Sequence, residues 1–252
     1  MELTHLSLFS GIGGLDLAAE WAGFKTVGQC EWADYPTKVL EKHWPDVPRW
    51  RDIHDLTAVE FERRVGTREV TCISGGFPCQ PHSVAGKRKA SDDERDLWPE
   101  MRRVIGEIKP RWVVGENVRG LLSSEDGRFF RGILRDFADM GYDVGWCLTS
   151  AAAVGAVHRR ERLAIVAYDN SKRWVLLREK QICRQQDIQG FEDVGGIAEW
   201  LQRCNAFEPK LLRTGNGLPH LLDRLKCLGN AVVPAQFYPI FKAIADIEGG
   251  IA

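Results

Sequence analysis

The sequence predicts an α/β protein in which a mostly parallel sheet carries helices on both faces. Over the first two-thirds of the chain, short apolar runs alternate with amphipathic stretches of helical length, and this alternation is typical of such folds. The length of 252 residues and the apolar fraction of 44% fit one substantial globular domain with a small second lobe.

The first elements follow from the spacing of apolar residues. Leu6–Phe9 and Thr26–Cys30 are short apolar runs that predict strands. Leu15–Ala22, between them, has apolar residues at i, i+3, i+4 and i+7, which predicts a helix with one buried face. A helical stretch from about Pro36 to His43 comes next, followed by an extended piece that ends at Arg51-Asp52-Ile53.

The middle of the chain repeats this alternation. Val70–Ser74 is a β-branched strand that leads into the loop Phe77–Pro81. A helix is predicted over Arg95–Ile108, and a buried strand follows at Trp112–Gly115, ending before Glu116. A further helix is predicted over Phe129–Met140.

The pattern in the last third of the sequence indicates that the chain has three parts. Val144–Leu148 and Leu163–Tyr168 predict late strands, after which the alternation stops in a polar stretch with scattered aromatic residues. A helix over Ala235–Ile247 restores the pattern. The parts are therefore 1–170, which holds the sheet, 171–214, and 215–252, which returns to the first part.

Polar or glycine-rich residues stand directly after five predicted strands: Ser10-Gly11, Glu31, Asp52, Cys79 and Glu116. In open α/β sheets, ligands bind outside the carboxyl ends of the strands. One such position arises easily by chance, but five of them on one edge predict a binding site.

Charge and cysteine content exclude several classes of protein. The 34 Lys+Arg and 35 Asp+Glu residues give a net charge of −1, so contact with nucleic acid would require a local basic patch. The seven cysteines form no Cys-x-x-Cys pair, and this predicts neither a disulfide framework nor a structural metal. The start of the chain does not read as a signal peptide, and the longest weakly polar run, Val144–Val157, is too short to span a bilayer. We expect a soluble, cytoplasmic, monomeric protein.

The turn Phe9–Gly14 joins a predicted strand to a predicted helix, as nucleotide-binding turns do. Asp16 replaces the third glycine of Gly-x-Gly-x-x-Gly, which disfavours a dinucleotide. Glu31 can accept hydrogen bonds from both hydroxyls of a ribose, and Asp52 can accept one from an exocyclic amine. These residues favour an adenosine ligand, and a structural turn with surface acids is the alternative.

Cys79 is a candidate nucleophile. Pro78 and Pro81 hold it in a stiff loop after a strand. Most cysteines of cytosolic proteins are instead small buried apolar residues. A thiolate there needs a neighbouring cation or base, and Lys87-Arg88-Lys89 and Arg159–Arg162 are candidates.

Glu116 is a candidate proton donor. Because apolar Val113 and Val114 precede it, desolvation would keep its carboxyl partly protonated, so that it could donate to a ring nitrogen. A structural acid beside a helix-capping Asn117 is an equally good interpretation of these residues alone.

Five segments in order resemble the DNA (cytosine-5)-methyltransferases of bacteria and phages, and the resemblance covers nearly all of the chain outside 171–214. They are Leu8-Phe9-Ser10-Gly11-Ile12-Gly13-Gly14, Gly76-Phe77-Pro78-Cys79-Gln80, Glu116-Asn117-Val118, Arg160-Glu161-Arg162 and Gly229-Asn230-Ala231-Val232-Val233-Pro234.

The resemblance implies a Rossmann-like methyltransferase fold, double-stranded DNA as substrate and S-adenosylmethionine as methyl donor, within a restriction-modification context. The residues implied to surround the cofactor are Phe9, Gly11, Gly13, Glu31, Trp32, Asp52, Ile53, Pro78, Leu97 and Asn230.

The resemblance also implies the catalytic roles. Cys79 would add to C6 of a cytosine flipped out of the duplex, which makes C5 nucleophilic enough to take the methyl group. Glu116 would hold N3 and the 4-amino group, while Arg162, with Arg160 nearby, would bind O2 and support the nucleophile. Two departures from the family are His158, where a glutamine is usual, and the shortness of the variable region.

Contacts to DNA are expected in three places. Gln80 and Ser83 belong to the Cys79 loop, and Lys87-Arg88-Lys89 suits a basic lid that closes on phosphates, although a solvated charge run is the alternative. In the expected target-recognition region 171–214, Arg184 and Gln185 can read guanine and adenine, and the small size of the region suggests a site of about four base pairs or fewer.

Three other functions remain as alternatives. A branch of the same family methylates cytosine in tRNA with the same site, and a catalytically silent DNA-binding relative would share the fold. An NAD-type oxidoreductase is disfavoured by the missing third glycine and by the Pro-Cys loop.

Overall fold

The computed structural model describes residues 2–78, 96–156, 159–172 and 231–250, and they confirm the predicted α/β fold. The strands are β1 Thr4–Leu8, β2 Lys25–Cys30, β3 Arg49–Trp50, β4 Cys72–Gly75, β5 Trp112–Val118, β6 Tyr142–Ser150 and β7 Glu161–Asp169. The helices are α1 Gly14–Trp21, α2 Asp34–His43, α3 Ala58–Val65, α4 Trp98–Ile108, α5 Arg128–Asp139 and α6 Pro234–Glu248.

These strands form one sheet in the order β3-β2-β1-β4-β5-β7-β6. β1 to β5 pair in parallel, so their carboxyl ends meet at one edge, as the sequence predicted. β7 runs antiparallel to both of its neighbours, β5 and β6. The sheet is therefore mostly parallel, as predicted, and its late part is antiparallel because the connection from Ser150 to Glu161 is too short for a parallel crossover.

Helices cover both faces of the sheet. Successive side chains of a strand point to opposite faces, so Val113 and Val114 of β5 enter different cores. Val113 belongs to the core beneath α3, α4 and α5, and Val114 to the core beneath α1 and α6. Both valines are fully buried, as expected for a central strand covered on both sides.

Two local predictions were wrong. β5 does not stop before Glu116, because its ladder with β7 continues through Asn117 to the pair Val118–Arg162. The helix α3 was not predicted, since only Ala58 and Phe61 of its eight residues are buried and so short an apolar pattern gives little periodicity.

No helix in the described part of the chain is long and apolar enough to cross a membrane.

Candidate active site

The turn between β1 and α1 is held in conformations that need glycine. Gly13 has φ +86°, and a Cβ at this position would lie 2.5 Å from the Trp44 ring. A Cβ at Gly14 would lie 2.5 Å from the carbonyl oxygen of Val232. Phe9, which is not a glycine, also has a positive φ of 52°, so the backbone is strained where the strand ends.

Glu31 closes this turn from the end of β2. Its Oε2 accepts a hydrogen bond of 2.7 Å from the backbone N–H of Gly11, and its Oε1 accepts one of 2.8 Å from that of Ala33. Each carboxylate oxygen keeps a further lone pair. Glu31 therefore links the glycine-rich turn to the start of α2 and can still accept from a ligand.

A cavity of about 690 Å³ opens at the carboxyl edge of the sheet. This volume lies within the range of roughly 300–1,000 Å³ that small-molecule sites occupy. Its lining comes from five places in the sequence that the fold brings together: Phe9, Ser10, Gly11, Ile12, Gly14 and Leu15; Glu31, Ala33, Asp34, Tyr35, Pro36 and Lys38; Gly76 and Pro78; Glu116; and Ala231 and Val232.

Glu116 and Arg162 form a buried ion pair next to this cavity. Arg162 Nε donates to Glu116 Oε1 over 2.7 Å, and both side chains are largely buried. Burial raises the pKa of the Glu116 carboxyl, against the opposing effect of Arg162 and Arg160, as the sequence predicted. A side chain at Gly76 would lie 2.7 Å from Glu116 Oε2, so glycine keeps this oxygen accessible at the end of β4.

Asn117 fixes the loop that leads to Cys79. Its Nδ2 donates a hydrogen bond of 3.0 Å to the carbonyl oxygen of Phe77, and its Oδ1 accepts from the backbone N–H of Val118. Pro78 is exposed and lines the cavity. The described chain therefore reaches the cavity at Pro78, the residue before Cys79 in the sequence.

Arg160 reaches the same edge from the segment before β7. Its backbone has φ +31°, an unusual value for a residue with a side chain. Its guanidinium donates to the carbonyl oxygen of Ala231, a cavity residue. Burial is also the main cause of a lowered pKa of the Arg160 guanidinium, with Arg162 adding to the effect.

The structure separates the predicted cofactor residues into two groups. Phe9, Gly11, Glu31 and Pro78 line the cavity. The other described members lie outside its lining: Gly13, Trp32, Asp52, Ile53 and Leu97.

These five residues have other surroundings. Ile53 and Leu97 pack in or against the core, whereas Trp32 is 71% exposed. Asp52 Oδ1 accepts from the backbone N–H and from Nδ1 of His54. The predicted roles of these five residues in cofactor binding therefore stay predictions.

Several predicted residues lie outside the described part of the chain. They are Cys79, Gln80, Ser83, Lys87, Arg88, Lys89, His158, Arg184, Gln185 and Asn230. The proposed boundaries at 170 and 214 also depend on this part, so the division into 1–170, 171–214 and 215–252 stays a prediction.

The contribution of α2 was not predicted from the sequence. Asp34, Tyr35, Pro36 and Lys38 line the cavity because α2 starts three residues after Glu31. The sequence could have indicated this, because a helix that follows a ligand-binding strand end has its first turn at the same site. Within the described residues, no cluster of three metal-ligating side chains occurs.

Comparison with known proteins matches the chain to a family. The profile described as "C-5 cytosine-specific DNA methylase" matches residues 3–205, which is most of the chain. The chain belongs to this family. The match confirms the resemblance that the five sequence segments indicated.

Curated relatives are Type II methyltransferases. The chain is 37% identical over 171 residues to M.NgoMIV of Neisseria gonorrhoeae, covering 68% of this chain and 53% of that protein. It is 38% identical over 170 residues to M.Eco47II of Escherichia coli, covering 66% of this chain and 40% of that protein. The matches therefore span about half of these relatives or less.

A solved structure supports the fold. It is described as a DNA modification methyltransferase encoded within a prophage of E. coli, and it superimposes with a TM-score of 0.60 at 25% identity. The superposition covers 68% of this chain and 48% of that one.

Proposed function

We propose that this chain transfers a methyl group from S-adenosylmethionine to C5 of a cytosine in a short DNA sequence, through a covalent adduct with Cys79. The observation that carries the proposal is the buried Glu116–Arg162 pair, which stands beside a cofactor-sized cavity where the Cys79 loop begins. Membership of the C-5 cytosine-specific DNA methylase family supports it.

The cavity fits the cofactor. It has the volume of a small-molecule site, and Glu31 offers acceptor oxygens on a carboxylate that two backbone amides hold in place. Phe9 supplies an apolar surface in the same cavity. When bound, S-adenosylmethionine supplies an electrophilic methyl group.

Cys79 and Glu116 would activate the base together. As the Sγ–C6 bond forms, the electron pair of the C5–C6 double bond shifts toward C4 and N3, and N3 takes the proton of Glu116. C5 is then nucleophilic enough to accept the methyl group. Loss of the C5 proton to a solvent base re-forms the C5–C6 double bond and expels the Cys79 thiolate, and N3 returns its proton to Glu116.

The two arginines would hold the oxygen of the base. Arg162 keeps Glu116 in place through its Nε, while Arg160 Nε is buried without a hydrogen-bond partner in the described residues. A donor in this state suits an acceptor such as O2 of cytosine, which would restore the hydrogen bond that burial removed. Since a stacked base cannot reach this edge, the cytosine must flip out of the duplex.

Methyl transfer to genomic DNA from a methylation-free bacterial strain tests the proposal. With labelled S-adenosylmethionine, the wild-type chain should label C5 of cytosine at one short sequence, and Cys79→Ala should label none. The variant should still bind S-adenosylhomocysteine, because other strands build the cavity. Cys147→Ala, at a partly buried cysteine of β6, is the matched control and should remain active.

Three results would contradict the proposal. Label at another base or another atom would exclude the reaction, and full activity of Cys79→Ala would exclude the nucleophile. Label in tRNA but not in DNA would favour the RNA branch of the family. Oligonucleotides with 5-fluorocytosine in the target should trap the adduct with the wild-type chain, because fluorine cannot leave as a proton.

A further inference from the structure

Gln236 is a buried polar residue in the first turn of α6 that has no role in the reaction described above. Its side chain is 2% exposed. Its Nε2 donates to the backbone carbonyl oxygens of Arg160, over 3.0 Å, and of Thr149, over 3.3 Å. One amide group of α6 therefore joins the end of β6 to the segment that carries Arg160.

The backbone of Arg160 requires such support. Its φ of +31° is unfavourable for a residue with a Cβ, so the surrounding contacts must maintain it. Two contacts do so from the same stretch of chain: Gln236 binds the Arg160 carbonyl oxygen, and the Ala231 carbonyl oxygen accepts from the Arg160 guanidinium. Backbone and side chain are thus held separately.

This stretch also forms part of the cavity. Ala231 and Val232 line it, and the carbonyl oxygen of Val232 packs against Gly14 of α1 so closely that no Cβ would fit there. The segment that holds Arg160 is therefore a wall of the cavity that contacts the start of α1. Loss of the Gln236 hydrogen bond would release the Arg160 backbone, from which the guanidinium extends.

We propose that Gln236 is a positioning residue that sets the orientation of Arg160 toward the target base. This inference rests on the proposed function. Arg160 Nε stays buried and without a partner in the described residues, so its direction decides whether it can reach an oxygen of the base. Gln236 acts only through Arg160 and touches neither base nor cofactor.

A double-mutant cycle tests this role. Gln236→Met keeps the side-chain length but removes the donor, and we expect it to lower the single-turnover rate of methyl transfer to genomic DNA by about 10- to 100-fold. Its affinity for S-adenosylhomocysteine should stay within about twofold of the wild type, since Gln236 does not line the cavity. In an Arg160→Ala background, Gln236→Met should change the rate by less than about twofold, because the residue it positions is gone.

Ile244→Val is the matched control, at a buried position two turns further along α6 that contributes only packing. It should lower the thermal midpoint but leave the rate nearly unchanged in both backgrounds. If Gln236→Met does not fold, Gln236→Asn takes its place in the double-mutant cycle. The asparagine side chain is one methylene shorter, so its amide donor is moved away from the Arg160 carbonyl oxygen.

The outcomes separate the two proposals. Rate losses that multiply in the double variant would overturn the role of Gln236 and leave the proposed function standing. An Arg160→Ala variant as fast as the wild type would remove the role of Arg160 and that of Gln236 with it. A wild-type chain that methylates no DNA would contradict both proposals.

Discussion

At the scale of single residues, Glu31 has a structural role beside the ribose-binding role that we propose for it. Its carboxylate already accepts two backbone N–H groups, from Gly11 and Ala33, before any ligand is considered. The sequence predicts an acid at the end of β2 for a ribose, and in the structure the same acid also joins the glycine-rich turn to the start of α2 at the cavity.

Glu31→Ala should therefore weaken cofactor binding in two ways, by loss of the acceptors for the ribose and by release of the turn. Hydrogen bonds to a charged group contribute about 1.5–3 kcal/mol each, so we expect at least a tenfold, roughly 1.4 kcal/mol, loss of affinity for S-adenosylhomocysteine. Isothermal calorimetry measures this loss. Glu41→Ala, at an exposed acid of α2, is the control, and an unchanged affinity of Glu31→Ala would place the ribose elsewhere.

Glu116 carries the second prediction at this scale. Because the proposed mechanism uses a proton on its carboxyl, Glu116→Gln should lower the rate of methyl transfer by about 10²–10⁴-fold. The protonated fraction of Glu116 falls as the pH increases, and burial raises the pKa at which this happens. The wild-type rate should therefore fall on the alkaline side. In Glu116→Gln this part of the pH–rate profile should disappear, and an identical profile in both proteins would contradict the role.

At the scale of elements, Asp16 explains why the third glycine is missing. Asp16, in the first turn of α1, is fully buried and accepts hydrogen bonds of 2.8 Å from Ser7 of β1 and from Gln29 of β2. Arg49 of β3 extends the chain of contacts by donating to Gln29 and to the carbonyl oxygen of Leu40 in α2. A polar network thus ties two helices to three neighbouring strands beneath the cavity.

This network predicts a pH-dependent stability. Burial raises the pKa of Asp16 from 3.8 to about 6, so between these values the folded chain binds the proton more strongly than the unfolded chain. Stability should then fall as the pH rises through this window, by up to ~3 kcal/mol from this group.

Asp16→Asn does not titrate and keeps most of the hydrogen bonds. Its free energy of unfolding, measured by urea titration between pH 4 and pH 7, should therefore fall less with rising pH than that of the wild type. Asp46→Asn, at an exposed acid after α2, should follow the wild-type curve. Parallel curves for the wild type and Asp16→Asn would show that Asp16 does not titrate in this window.

At the scale of the whole molecule, the nearly balanced net charge of −1 requires a local basic region for DNA. The expected recognition region 171–214 has eight basic and six acidic residues, a net charge of +2. Replacement of Arg184 and Gln185 by Ala should relax the sequence preference, because a good bidentate contact contributes only about 1–3 kcal/mol of discrimination. Base-resolution mapping of methylated cytosines measures this preference, and an unchanged target sequence would assign the reading of DNA to another segment.

Local patterns along the chain predict the fold class and the edge of the sheet that carries the proposed site. Apolar periodicity depends on neighbours within a few residues, and it placed α1, β2, α5 and α6 nearly where the structure has them. Once the strands are parallel, their carboxyl ends must meet, so Gly11 and Glu31 were predicted to lie together although 20 residues separate them.

Which polar side chains pair with each other depends on the folded arrangement of the strands and helices. The Glu116–Arg162 ion pair exists because β7 turns back antiparallel to β5, and no local pattern records the direction of a strand. In the sequence Asp16 is only a departure from a glycine motif, whereas in the structure it accepts hydrogen bonds from Ser7 and Gln29. In the sequence Gln236 is one polar residue of a helix, whereas in the structure its amide donates to the carbonyl oxygen of Arg160, 76 residues earlier. Periodicity reflects which face of an element is buried, whereas the partner of a buried polar group is set by residues that only folding brings near.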